Sequence, residues 1–121
     1  MLAKPIILIL ISVLLGASGQ ILMKYGTMRV ETNADDSAFD LLLKYFTNIS
    51  VLGGVGLYAL SAITWIFALS KVQLSYAYPM VALGYVVVVA ASYFIFGDSI
   101  SVMRVAGLLA IVIGVILISQ S

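Results

Sequence analysis

The chain has 121 residues, 64% hydrophobic and 9% charged, with six Lys or Arg against five Asp or Glu. Soluble domains carry roughly a quarter of their residues as charge, so this composition belongs to an integral membrane protein. There is no His and no Cys, hence no imidazole base, thiolate nucleophile, disulfide or His/Cys metal site. The net charge of +1 leaves no electrostatic footprint for nucleic acid. Nothing in this inventory calls for a metal, a cofactor or a catalytic residue, and the chain reads as a non-enzyme.

A helix crossing hydrocarbon takes about 20 apolar residues, so four would use about 80 and leave about 40 for loops and ends. Hydropathy gives four such segments. The first covers 5–23, bracketed by Lys4 and Lys24, and the second covers 49–70, ending at Lys71. The third covers 74–96 and stops at Gly97-Asp98; the fourth covers 102–118, with Arg104 one turn inside its start, where its side chain can snorkel. Lipid tolerates only helices or closed barrels, and the two-residue alternation of a barrel is absent. The expected fold is all-α: one four-helix transmembrane bundle over 1–121. Gly16-Ala17-Ser18-Gly19 follows an apolar run as a signal cleavage site would. The run continues to Met23, however, long enough to span, so the segment is expected to be retained.

Between the first two spans, residues 25–37 hold Arg29, Glu31, Asn33, Asp35 and Asp36 and read as a polar loop. Ser37-Ala38-Phe39-Asp40 has the pattern of a capping box. Leu41, Leu42, Leu43, Tyr45 and Phe46, broken by Lys44, then suit a short interfacial helix over 38–46; an early start of the second span fits the same residues. The Asn48-Ile49-Ser50 sequon lies at a membrane boundary, too close for glycosylation. Lys4 and Lys71 fall on one side of the membrane, and Lys24, Arg29, Lys44 and Arg104 on the other. This weak excess favours an outside N-terminus, and so even a split also suits insertion both ways.

Polar groups within spans are the places to look for function. Ser12, Gly16, Gln20 and Lys24 recur every fourth residue and share a face of the first helix, with Gly19 beside them. That stripe offers room, an amide and a cation to a substrate; it equally fits close helix packing with a snorkelling Lys24. The third span opens Ser75-Tyr76-Ala77-Tyr78-Pro79-Met80. Pro79 removes a helical hydrogen bond and bends the entry. Tyr78 and Tyr85, seven apart with Ala82 between, could line a cavity, or Tyr76 and its neighbours could form an aromatic belt. Trp65, deep in the second span, packs or lines a cavity. Gly107, Ala110 and Gly114 make a smooth face on the fourth helix, as Gly53, Gly54 and Gly56 do on the second. None of the five acids falls within a span, so a proton-coupled cation exporter lacks its carboxylate.

Four short spans, Leu22-Met23-Lys24 ending the first, Ala77-Tyr78 opening the third, Phe96-Gly97-Asp98 closing it, and Gly107 with Gly114 in the fourth together resemble the small multidrug resistance fold of the drug/metabolite transporter superfamily. The resemblance covers nearly the whole chain and is strongest over 74–119. It implies a dimer contact at Gly107 and Gly114, on the smooth face they share with Ala110, and a substrate-site role for Tyr78. It also places Gly16 where that family has its essential glutamate, and Val81 where it has a binding-site tryptophan. A sister branch is more similar: the subunits that flip undecaprenyl-phosphate-linked aminoarabinose. Its Ser-x-x-Gly-Gln…Lys pattern is approximated by Leu15-Gly16-Ala17-Ser18-Gly19-Gln20 with Lys24. Its Ala-Tyr-Pro-Met string stands at 77–80, and its acid-then-Ser pair at Asp98 and Ser101.

That resemblance implies a multi-pass protein of the prokaryotic inner (plasma) membrane. It would flip a polyprenyl-phosphate-linked sugar as a homodimer, or as a heterodimer with a similar small subunit. Gln20, Lys24, Tyr78 and Tyr85, with Trp65, Ser12 and Gly16 around them, would hold the phosphate and sugar while the prenyl tail stays in membrane lipid. The competing readings are an exporter of a hydrophobic or cationic small molecule and a subunit without transport activity in a larger membrane complex.

Overall fold

The computed structural model describes residues 3–121, with side chains from Pro5 onward, so the side chain of Lys4, the first span's expected flank, lies outside what is described. Six helices follow in order: α1 (Ala3–Arg29), α2 (Ala38–Phe46), α3 (Ile49–Leu69), α4 (Leu74–Met80), α5 (Leu83–Phe94) and α6 (Val102–Ser119). Among the described residues, four stretches are long and apolar enough to cross a membrane: Pro5–Arg29, Ile49–Leu69, Leu74–Phe94 and Val102–Ser119. The protein is an all-α, multi-pass membrane protein.

The first span runs past its expected end at Met23, through residues assigned to the polar loop, to Arg29. The charge at Lys24 does not stop the helix. Gly26 seats against Val51 and the Asn48 amide at the start of α3, where a Cβ would lie 2.6 Å from Val51 Cγ2. Beyond it the Arg29 guanidinium lies 4.8 Å from the Tyr25 ring centre, a cation in the last turn that also suits the helix dipole.

Small residues bring α1 and α3 together as an antiparallel pair. Gly16 meets Ser61, Gly19 meets Gly54 and Tyr58, and Gly26 meets Val51. A Cβ on Gly19 would lie 2.7 Å from the Gly54 carbonyl oxygen, and one on Gly54 would lie 2.6 Å from that of Gly19. Glycine is therefore required at both positions for the backbones to touch. A buried hydrogen bond ties the same pair, Ser12 Oγ donating to the Ser61 carbonyl at 2.7 Å.

α2 is a helix of its own rather than the beginning of α3. The Ser37–Asp40 capping box is complete: Asp40 N–H donates to Ser37 Oγ at 3.2 Å, and Ser37 N–H to Asp40 Oδ2 at 3.1 Å. Asn48, the sequon residue, ends the link to α3 by accepting from Ser50 and Val51 N–H through its side chain. The preceding loop is tied to α2 by Lys44 Nζ on Asp36 Oδ2 at 2.7 Å. The bonded ammonium holds the Asp36 carboxyl below the usual carboxylate range, and Asn33 N–H acts in the same direction.

The third span is two helices rather than one bent helix. Pro79 has no N–H to give the Ser75 carbonyl. The chain tightens into i→i−3 bonds, Val81 to Tyr78 and Ala82 to Pro79, both at 3.0 Å, before α5 starts. α5 ends at Phe94, two residues short of the expected limit, and Gly97 at φ 71° turns the chain so that Asp98 N–H returns to the Ser92 carbonyl. Ser101 caps α6 by accepting from Arg104 N–H at 3.2 Å.

The core is small because most side chains face lipid. Ile9 and Val13 of α1 pack with Ala68, Ala77, Met80 and Val115, with Trp65 and Leu69 against them. α1 is thus central, α3 and α5 flank it, and α6 rests on α4 and α5.

Candidate functional site

A cavity of about 560 Å³ opens among α1, α3, α4 and α5. α1 contributes Ser12, Gly16 and Gln20, which the helical repeat aligns on one face. α3 contributes Tyr58, Ser61 and Trp65, and the broken third span contributes Tyr78 and Tyr85. Val13, Ala17, Ala62, Val81, Gly84 and Val88 fill the wall between them. Gly84 lets α5 approach α1, since a Cβ there would stand 3.3 Å from Val13 Cγ1.

The break after Pro79 decides what this wall presents. Tyr78 and Tyr85 both reach the cavity, but the residues between them on that wall are Val81 and Gly84. Ala82, expected between the tyrosines, packs against the core cluster instead. Trp65 does both things expected of it, touching the core and lining the cavity.

Donor accounting shows what the cavity can bind. Ser12 donates to the Ser61 carbonyl and Ser61 Oγ donates to the Tyr58 carbonyl, so these hydroxyls offer a ligand only acceptor lone pairs. Among the described residues, no hydrogen bond within the chain engages the side chains of Gln20, Tyr58, Trp65, Tyr78 or Tyr85. The cavity thus holds one amide, three phenols and one indole N–H ready for a ligand, and no acid or base lines it. An added Cβ on Gly16 would stand 3.4 Å from Ser61 Oγ, in ordinary contact, so the position has room for a side chain at the cavity but carries none.

Lys24 is exposed one helical turn beyond Gln20 and does not line the cavity. Gly107, Ala110 and Gly114 lie away from it on α6, and a Cβ on either glycine would meet nothing within 4 Å. Tyr58 and Ser61 were missed in the sequence, yet a signal existed. Positions 58, 61, 62 and 65 follow the i, i+3, i+4, i+7 spacing of one helix face, so projecting back from Trp65 finds them.

An uncharged cavity among the first three spans, mostly apolar but with neutral polar groups on its wall, is of a kind that suits a membrane protein handling a cargo with both polar and apolar parts. Comparison with known proteins agrees. The chain is 35% identical over 113 residues to the probable 4-amino-4-deoxy-L-arabinose-phosphoundecaprenol flippase subunit ArnF of Serratia proteamaculans, covering 90% of this chain and 87% of that protein. It is 32% identical to the ArnF subunit of Photorhabdus laumondii, over 92% of this chain and 93% of the relative. A stretch of 62 residues, 51% of this chain and 54% of the relative, is 40% identical to the ArnE subunit of Pseudomonas aeruginosa. The chain belongs to the ArnE/ArnF family of flippase subunits. No protein-family profile matches it, and no solved structure does.

Proposed function

We propose that the chain is a flippase subunit that moves an undecaprenyl-phosphate-linked sugar, aminoarabinose or a close analogue, between the leaflets of a prokaryotic inner membrane. The observation that carries this reading is the carboxylate-free cavity among α1, α3, α4 and α5, with neutral polar groups on a largely apolar wall, in a chain with relatives named for that cargo. Gln20, Tyr78 and Tyr85 bind the headgroup with Ser12, Gly16 and Trp65 around it, and the prenyl tail stays in lipid. The ArnE and ArnF relatives are named subunits, so the working unit is a pair: two copies of this chain, or this chain with a similar small partner. Rocking of the two bundles exposes the cavity to either leaflet in turn. With no carboxylate or amine in its walls, transport runs down the gradient of the lipid itself.

The test is flipping of undecaprenyl-phosphate aminoarabinose in proteoliposomes, with the chain alone and together with a similar small subunit. Flipping is expected in at least one of these preparations. Gln20→Ala removes an unpaired amide at the cavity face and is expected to slow it about tenfold, the loss of roughly one hydrogen bond to cargo. Wild-type vesicles no faster than protein-free ones in both preparations would remove the proposal.

A further inference from the structure

Building on the glycolipid reading above, we propose that the cavity admits only the sugar, and that the phosphate is held outside it by the Lys24 ammonium. The polar atoms of the cavity are hydroxyls, phenols, one amide and one indole, with no formal charge among them. Two of the hydroxyls are already committed as donors to backbone carbonyls, so they can only accept. A phosphodiester is anionic and needs donors, preferably cationic ones, and an unpaired charge within the bilayer is expensive. An amino-pyranose needs what the cavity has: aromatic faces for its apolar side and its 4-ammonium, which an anion cannot use, and neutral donors and acceptors for its hydroxyls.

The first cation along α1 from the cavity is Lys24. It lies four residues past Gln20, about 6 Å farther along the helix axis and on nearly the same face, an offset that a glycosyl phosphate bridges. Lys24 is exposed, and the salt bridge found among the described residues joins Asp36 to Lys44 and leaves Lys24 out. The cavity, at about 560 Å³, is of a size for one small ligand and cannot enclose a long isoprenoid as well. The cargo is therefore read in three parts: sugar in the cavity, phosphate at Lys24, tail in lipid. Lys24 is a binding residue of the cargo without being part of the cavity.

The sequence has a single tryptophan and it lines the cavity, so Trp65 emission reports occupancy without a label. The chain in lipid nanodiscs is titrated with the methyl glycoside of 4-amino-4-deoxy-L-arabinose and, separately, with sugar-free undecaprenyl phosphate. The glycoside is expected to shift Trp65 emission equally in wild type and Lys24→Met. Undecaprenyl phosphate is expected to leave the emission unchanged and to be retained about tenfold less by immobilised Lys24→Met than by wild type. The glycoside response in Lys24→Met shows that the variant is folded. A Trp65 shift with undecaprenyl phosphate alone, equal retention by both proteins, or silence to the glycoside would overturn the division. If the glycolipid flips in vesicles while Trp65 stays silent, the division falls and the flippase reading stands. If both binding results hold and no glycolipid flips, the reverse is true.

Discussion

At the level of single residues, one hydrogen in place of a methyl decides whether α1 and α3 meet. A Cβ on Gly54 would lie 2.6 Å from the Gly19 carbonyl oxygen and 2.8 Å from Met23 N, both backbone atoms that cannot swing aside. Gly54→Ala is expected to force the helices apart and lower stability by about 1–3 kcal/mol, the range for overpacking. Gly56, on the same helix, has nothing within 4 Å of its added Cβ. There the helix propensity of alanine dominates, and Gly56→Ala should raise stability by about 0.5–1 kcal/mol. Thermal unfolding in detergent reads both; equal midpoints for the two variants would contradict the close contact. The sequence marks Gly53, Gly54 and Gly56 as a group but not which of them touches a neighbour. In lipid a helix is apolar all round, so no amphipathic pattern identifies its protein-facing side. Polar residues are the exception: Ser12, Gln20, Trp65, Tyr78 and Tyr85 stand out against that background, and the structure brings them to one cavity. Tyr58 and Ser61, on the same span, are legible only by projecting back along the helix face from Trp65.

At the level of elements, local chemistry was readable where it involved capping and harder to read where it depended on tertiary contact. The Ser37–Asp40 box is formed by residues three apart, and it appears as expected. The extension of α1 to Arg29 depends on Gly26 meeting Val51, a contact between residues 25 apart that hydropathy cannot see. The Asp36–Lys44 bridge adds a pH dependence to the loop that α2 follows. Lys44, then Asn33 N–H, lowers the Asp36 pKa in the fold. A lowered carboxyl contributes stability that is fully present above its unfolded value and is lost as pH falls through the folded one. Amide protection over residues 33–44, taken relative to the unstructured exchange rate at each pH, should thus be high at neutral pH and fall as pH drops below about 4, the ordinary aspartate range. Asp36→Asn should show low protection at every pH. Protection independent of pH in the wild type would mean that the bridge does not hold the loop.

At the level of the whole molecule, the single chain leaves its fourth span incompletely covered. α6 rests on α4 and α5 and buries Val115, while Gly107 and Ala110 are exposed and the added Cβ atoms of Gly107 and Gly114 point into open space. Lipid tails are as apolar as leucine, so a glycine face offers bilayer lipid nothing that a leucine would not. Its advantage is the close approach of another helix. The two-subunit reading therefore puts the second bundle against this face, beside the α4 and α5 walls that carry Tyr78 and Tyr85. Gly114→Leu separates folding from assembly, because the larger side chain meets no atom of its own chain near its Cβ. The variant should unfold like wild type as a monomer in detergent, yet lose crosslinked dimer and lose flipping in vesicles to a similar extent. Gly56→Leu is the matched control, an equally open glycine on α3, and should keep both. Dimer yield and flipping rate that survive Gly114→Leu would place the contact elsewhere. Loss of both with Gly56→Leu as well would mean that any bulky residue on the lipid face is enough to block association, and that the glycines of α6 have no special part in it.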